Sequence, residues 1–182
     1  MACPNSYTLR NLEGRFRIHK QLSDNMESLL ALQGIGWAIR KLMVNMPVGV
    51  NIKSFLGEDG IYVVDVENTI GGGIYITKEH RVLDWVPVEG VNANFGKLKV
   101  RNGWSALEEI NDDFLKSELE KGHDRDDVIF IKVESLDHGW VQEQTWGFQL
   151  IDGQRRYVRR IVVTKDSKRE TARLVFDWEG VS

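Results

Sequence analysis

The sequence predicts an all-β fold with short helices: an antiparallel up-and-down barrel of about ten strands beneath a pair of N-terminal helices. Three observations predict it. Segment after segment alternates apolar and polar residues, the pattern of a half-buried strand. Most of these segments are joined by short turns without an intervening helix, which is meander order. Helical periodicity is confined to residues 23–44 and 105–121.

In chain order, residues 14–20 alternate Phe16 and Ile18 against Arg15, Arg17 and His19 and form the first strand. Ser23-Asp24-Asn25 is an N-cap cluster, and Glu27 stands three residues after Asp24 as its capping-box partner. Met26, Leu29, Leu30 and Gln33 share one face of the helix that follows, and Gly34 ends it. A second helix spans residues 37–43 and stops before Pro47, because a residue preceding proline avoids helical backbone. Strands are then expected at 48–53, 61–67, 74–77, 82–88 and 95–104, with Gly71-Gly72-Gly73 as a loop or bulge. Ser105-x-x-Glu108 is a capping box that opens a helix at 105–121, with Leu107, Ile110, Phe114 and Leu115 as its apolar stripe. A polar loop, His123–Asp127, follows it. Strands at 128–135, 140–151, 155–164 and 171–178 complete the chain, and Asp152-Gly153 is a hairpin turn.

Composition bounds the function. The 182 residues suit a single domain. A net charge of −3 gives no electrostatic footprint for nucleic acid. No run reaches the roughly 18 apolar residues of a membrane span. The N-terminal residues 1–10 lack the apolar core of a secretory signal and are expected to form a flexible tail. The single cysteine, Cys3, excludes an internal disulfide and fits a cytoplasmic location. The four histidines are scattered without paired ligand spacing, so neither a metal nor another cofactor is expected. Gly34-Ile35-Gly36 lacks the spacing and preceding strand of a phosphate loop, and is expected to be a close-packed corner between two helices.

Several stretches resemble the intracellular fatty-acid-binding proteins of the calycin (lipocalin-like) group. Leu12-Glu13-Gly14-Arg15-Phe16 resembles their opening motif, and residues 31–41, ALQGIGWAIRK, resemble their helix-turn-helix signature with one extra residue. Glu67-Asn68-Thr69-Ile70 is similar to the stretch beside the ligand portal, and Ile151-Asp152-Gly153 to a late hairpin. The phrases FGKLKVRNGW and WGFQLIDGQRRYVRRIVV are also similar to fungal barrel proteins encoded beside secondary-metabolism genes. The resemblance implies a cavity-bearing barrel over 1–182, a helical lid at 23–44 and an insertion at 85–127. It also implies where this chain departs from the pattern. Phe148 takes the place of an inward arginine, and Phe176 and Trp178 take the places of an Arg-x-Tyr pair, so the family's anion site becomes aromatic.

Strand parity puts Trp140, Gln142, Gln144, Trp146 and Phe148 on one face, and Leu174, Phe176 and Trp178 on another. With Trp37, Ile70 and Trp104 these aromatic and aliphatic residues are the expected ligand-binding set for a hydrophobic, largely neutral small molecule. Gln142, Gln144 and whichever of Arg159 and Arg160 faces inward are the groups expected to polarise a carbonyl. Two readings of Asp65 and Glu67 stay open, a solvated face or an inward acid–base pair, and two of Trp37 and Met43, barrel packing or membrane contact. The expected function is cofactor-free cyclisation or isomerisation of a natural-product intermediate inside the barrel; the alternative is passive carriage of a hydrophobic metabolite.

Overall fold

A computed structural model describes residues 1–122 and 128–181, so the expected loop with His123 lies outside the described residues. Ten strands form one sheet: β1 (Glu13–Ile18), β2 (Val48–Leu56), β3 (Tyr62–Ile70), β4 (Tyr75–Val82), β5 (Val88–Asn92), β6 (Gly96–Ser105), β7 (Val128–Ser135), β8 (Val141–Ile151), β9 (Gln154–Lys165) and β10 (Lys168–Gly180). Their order is β4-β3-β2-β1-β10-β9-β8-β7-β6-β5, every pair antiparallel, with the first strand joined to the last. Among the described residues, β4 and β5 do not pair, which leaves a seam in the wall. One end of that seam is pinned by the segment after β4: Leu83 N–H donates to Tyr62 O at 2.9 Å and Trp85 N–H to Asn102 O at 2.8 Å. Trp85 holds a left-handed φ of 63° there, and its indole lies where a Cβ on Gly103 would fall, 2.1 Å away.

Alternation decides what fills the barrel. Phe16, Val64, Val66, Ile129, Ile131, Trp146, Tyr157, Ile161 and Phe176 are buried inside it. Intervening residues of the same strands, Val128, Val158, Val162 and Val175, form a second core on the outer face. Leu107, Ile110, Leu115 and Leu119 cover that second core. They do so without the helix expected at 105–121. A short 3-10 turn, Leu107–Glu109, and a four-residue helix α3, Asp113–Lys116, replace it. The reason is local. Ser105 belongs to β6, opposite Val128, and its hydroxyl donates to Ala106 O instead of capping a helix. Asp112 is the cap, accepting from Phe114 N–H and Leu115 N–H at 2.9 and 3.3 Å. Glu118 at φ 55° stops the turn that follows. Residues 88–105 of the expected insertion are β5 and β6, integral to the sheet.

Two lid helices, α1 (Glu27–Leu32) and α2 (Trp37–Asn45), lie at one end of the barrel. The capping box expected for α1 does not form. Asp24 instead accepts from Arg173 N–H at 2.7 Å and donates its own N–H to Arg173 O, fastening the chain to β10. Gly34 turns the corner at φ 86°, with Gly34 N–H bonded to Ala31 O and Ile35 N–H to Leu30 O, a helix end that favours glycine. Close packing is not the reason for either glycine, since nothing lies within 4 Å of a Cβ at Gly34 or Gly36. Met46 is extended before Pro47, as predicted.

Residues 1–10 are not a free tail. Met1 N–H3⁺ pairs with Asp177 at 3.0 Å, Trp178 N–H donates to Met1 O, and Cys3 and Leu9 are buried. The polar backbone of this segment finds sheet partners, Cys3 N–H donating to Arg155 O at 2.8 Å, so docking satisfies it. Burial pushes the Cys3 thiol up from 9.0 to about 11. A raised acid pKa favours the neutral folded form, so its stabilising contribution is full below the ordinary value of 9.0 and is lost as pH rises toward about 11. Alkylation of Cys3 at neutral pH is therefore expected to be at least about tenfold slower in the native protein than in urea-unfolded chain. Equal labelling rates would mean the N-terminal segment is undocked.

Candidate functional site

A cavity of about 850 Å³ lies inside the barrel, bounded by α1 and α2 at one end and open along the β4–β5 seam. Its walls are mainly aliphatic and aromatic, including Val50, Ile70, Trp140, Ile161, Leu174 and Phe176. Alternation on β8 and β9 brings the polar groups in. Gln142, Gln144 and Arg159 all line the cavity, and Arg159 stands opposite Trp146 in register.

These polar groups are oriented as donors. Gln142 Oε1 accepts from the buried Gln33 Nε2 on α1 at 2.9 Å. Gln144 Oε1 accepts from Trp146 Nε1 at 3.0 Å, and an indole nitrogen can only donate. Each amide thus has its carbonyl engaged and, among the described residues, no acceptor on its N–H groups. Arg159 Nε donates to the Tyr157 hydroxyl at 2.9 Å, and its guanidinium carbon sits 4.0 Å from the Trp146 ring centroid and 5.3 Å from that of Phe176. Tyr157 is fully buried, and that burial raises its pKa, keeping the hydroxyl neutral. Arg159 is only 9% exposed, and no acceptor among the described residues bonds its Nη2.

A second polar cluster ties across one end of the seam. Glu79, on the inward face of β4, accepts from Arg81 Nε at 2.8 Å and Asn68 Nδ2 at 3.2 Å. Arg81 Nη1 donates to Asn102 Oδ1 at 2.8 Å, crossing from β4 to β6. Sequence reasoning missed Glu79 and Arg81 because they fall between the strands expected at 74–77 and 82–88. The signal was present: Thr77, Glu79 and Arg81 share one parity along β4. Gln33 carried a signal too, standing in register with the apolar stripe of α1.

The remaining sequence candidates scatter around this chamber. Trp146 lies beneath the cavity floor, with Arg81 also 5.5 Å from its ring. Phe148 is deeper, packed on Tyr157 at 6.1 Å with the Arg155 guanidinium 3.6 Å above its ring. Trp104 packs edge-on against Tyr62, and Trp178 packs against Tyr7 of the docked N-terminus. Trp37 is 66% exposed and does not line the cavity; Met43, six residues on, does. Arg160, one residue from Arg159, points out of the barrel by strand parity and bonds Glu118 and Gln149 under α3. Burial there lowers its pKa. Asp65 and Glu67 form a solvated outer face, paired with His80 at 2.7 Å and Lys78 at 3.2 Å. A second cavity, of about 570 Å³, lies on the outer face near α3, but two of its three carboxylates, Asp112 and Glu143, are already paired with Arg169 and Lys132.

No helix among the described residues is long and apolar enough to cross a membrane. The chain matches no protein-family model. It is 36% identical over 183 residues to pericyclase pydY of Acremonium sp, covering 99% of this chain and 98% of that one. It is 32% identical over 182 residues to the probable pericyclase scpY of Mollisia scopiformis, covering 98% and 95%. Among solved structures, the fatty-acid-binding protein 1 of Echinococcus granulosus superposes with a TM-score of 0.55 at 11% identity, over 93% of this chain and 98% of that chain. A mutant of the REP1-NXSQ fatty acid transporter gives 0.56 at 10% identity, over 92% and 97%. The wild-type fluorescent protein UnaG gives 0.56 at 12%, over 92% and 97%. These structural likenesses show a shared calycin-like barrel.

Proposed function

The chain belongs to the family of these fungal pericyclases, and on that premise we propose that its barrel cavity folds a hydrophobic, largely neutral natural-product intermediate and promotes its cyclisation. A pericyclic ring closure moves bonding electron pairs around a closed ring, turning π bonds into σ bonds within one molecule. It requires no nucleophile, no net proton transfer and no redox partner. What it requires is a near-attack conformer, and holding one supplies up to roughly 7–11 kcal/mol of the barrier. The observation that carries this reading is the 850 Å³ chamber, apolar in its walls and edged by a few fixed hydrogen-bond donors.

Three groups act on the substrate in this reading. The walls formed by Ile70, Trp140, Ile161, Leu174 and Phe176 select its folded shape. The amide N–H groups of Gln142 and Gln144 and the guanidinium of Arg159 donate to a carbonyl conjugated with the reacting π system, which draws electron density from it. Arg160, outside the barrel, takes no part. The net charge of −3 speaks against a nucleic-acid partner, and the single thiol suits a reducing, cytoplasmic setting.

Incubating the purified protein with extract of the producing cell tests the reading. The expected result is a cyclised product in large molar excess over protein. Retention of one unchanged molecule per protein would instead establish a passive carrier.

A further inference from the structure

Among the described residues, the cavity holds a buried charge that no ion pair balances. Glu79 is committed to Arg81, and the ion pairs among the described residues leave Arg159 without a carboxylate. A guanidinium does not lose its proton at any physiological pH, so the charge stays. The aromatic faces of Trp146 and Phe176 soften the burial of that cation, but a ring face does not complete a hydrogen bond to Nη2. An uncompensated buried cation is costly unless something that enters the cavity supplies an anion.

We propose that Arg159 is the docking point for an acidic, resonance-delocalised oxygen, a carboxylate or an enolate, at the inner end of the substrate. This rests on the cavity being the reaction chamber, as proposed above, and adds the substrate's chemical class and orientation. Register fixes the direction. Arg159 pairs with Trp146, and Gln142, held by Gln33 of the lid, lies four residues along β8, roughly 13 Å away. The acidic head sits at the level of Arg159 and Leu174, and the hydrocarbon runs past Ile161 toward the lid. The body of the ligand stays neutral; only its inner end is charged. This anion site is on β9, whereas the positions where the fatty-acid-binder resemblance expects one hold Phe148, Phe176 and Trp178.

Binding of matched acid and ester probes tests this, read by tryptophan fluorescence. One pair is the conjugated tetraene cis-parinaric acid and its methyl ester; the other is a long-chain acylated cyclic diketone and its enol methyl ether. At least one acidic probe is expected to bind about 10- to 100-fold more tightly than its methylated partner, the range of a charge-assisted hydrogen bond. The pair that discriminates tells carboxylate from enolate. Arg159→Gln is expected to bring the two partners within about threefold, by weakening the acidic probe far more than its methylated partner. Equal affinity of acid and methylated probe in both pairs overturns the proposal in the wild-type protein alone, so a misfolded variant does not blunt the test. A preference that survives in folded Arg159→Gln also overturns it. Acid preference without any cyclised product would sink the cyclase reading and leave this one standing.

Discussion

Tyr157→Ala is expected to destabilise the protein by about 3–5 kcal/mol, the cost of deleting a large buried aromatic ring. At this chain length that corresponds to a fall of about 6–20 °C in the thermal midpoint. Tyr157 is where the barrel floor converges. Its ring centroid lies 5.3 Å from that of Phe16, 6.4 Å from Trp146, 6.1 Å from Phe148 and 5.2 Å from Phe176, residues of three other strands. Removing it opens a void between β1, β8 and β10 at once, and little relaxes to fill it because all four neighbours are held by strands. It also strips Arg159 Nε of its acceptor. Tyr157→Phe separates the two effects: it keeps the ring and loses only the acceptor, at about 1–3 kcal/mol. Thermal melts of both variants decide the matter. A fall under about 3 °C for Tyr157→Ala would mean the aromatic cluster is not the keystone of the floor.

Leu174→Trp is expected to leave the fold standing and cut turnover about a hundredfold, because a displacement of about 1 Å in a near-attack conformer costs that much. Leu174 is inward on β10, in register with Arg159, and lines the cavity. An indole there extends into open volume and not into packed core, so overpacking strain is small and the thermal midpoint should move by only a few degrees. Product formation at saturating substrate, alongside a melt, is the measurement. Turnover within threefold of wild type would place the chemistry outside this cavity.

The barrel was legible because alternation and turn chemistry are local: every expected strand from 128 onward is present within a few residues. What escaped was non-local. Ser105 and Glu108 spell a helix start, yet the strand partner Val128 claims Ser105 first. Asp24 spells a cap, yet β10 takes it. The docked N-terminus depends on Asp177 and Arg155, which lie at the far end of the chain from Met1 and Cys3, and no short window of sequence contains both partners. In the site, parity alone left Arg159 and Arg160 equivalent. The outer core of Val158 and Val162 resolves them, because it shares its face with Arg160. Among the tryptophans, parity put Trp146 and Trp178 on inward faces without saying how deep along the barrel they lie, and depth separates a cavity wall from a floor.

A hydrogen-bonded ring of strands has a fixed circumference, but a ring with one slit does not. Because β4 and β5 share no ladder among the described residues, no backbone hydrogen bond between these two strands fixes the girth of this chamber. The slit is riveted at Leu83–Trp85 and cross-tied by Arg81 and Asn102, so the motion open to it is that of a clothes-peg: small at the rivet and growing toward the free end. On the proposed cyclisation, substrate and ring-closed product do not have the same outline. A vessel of variable girth would accommodate both.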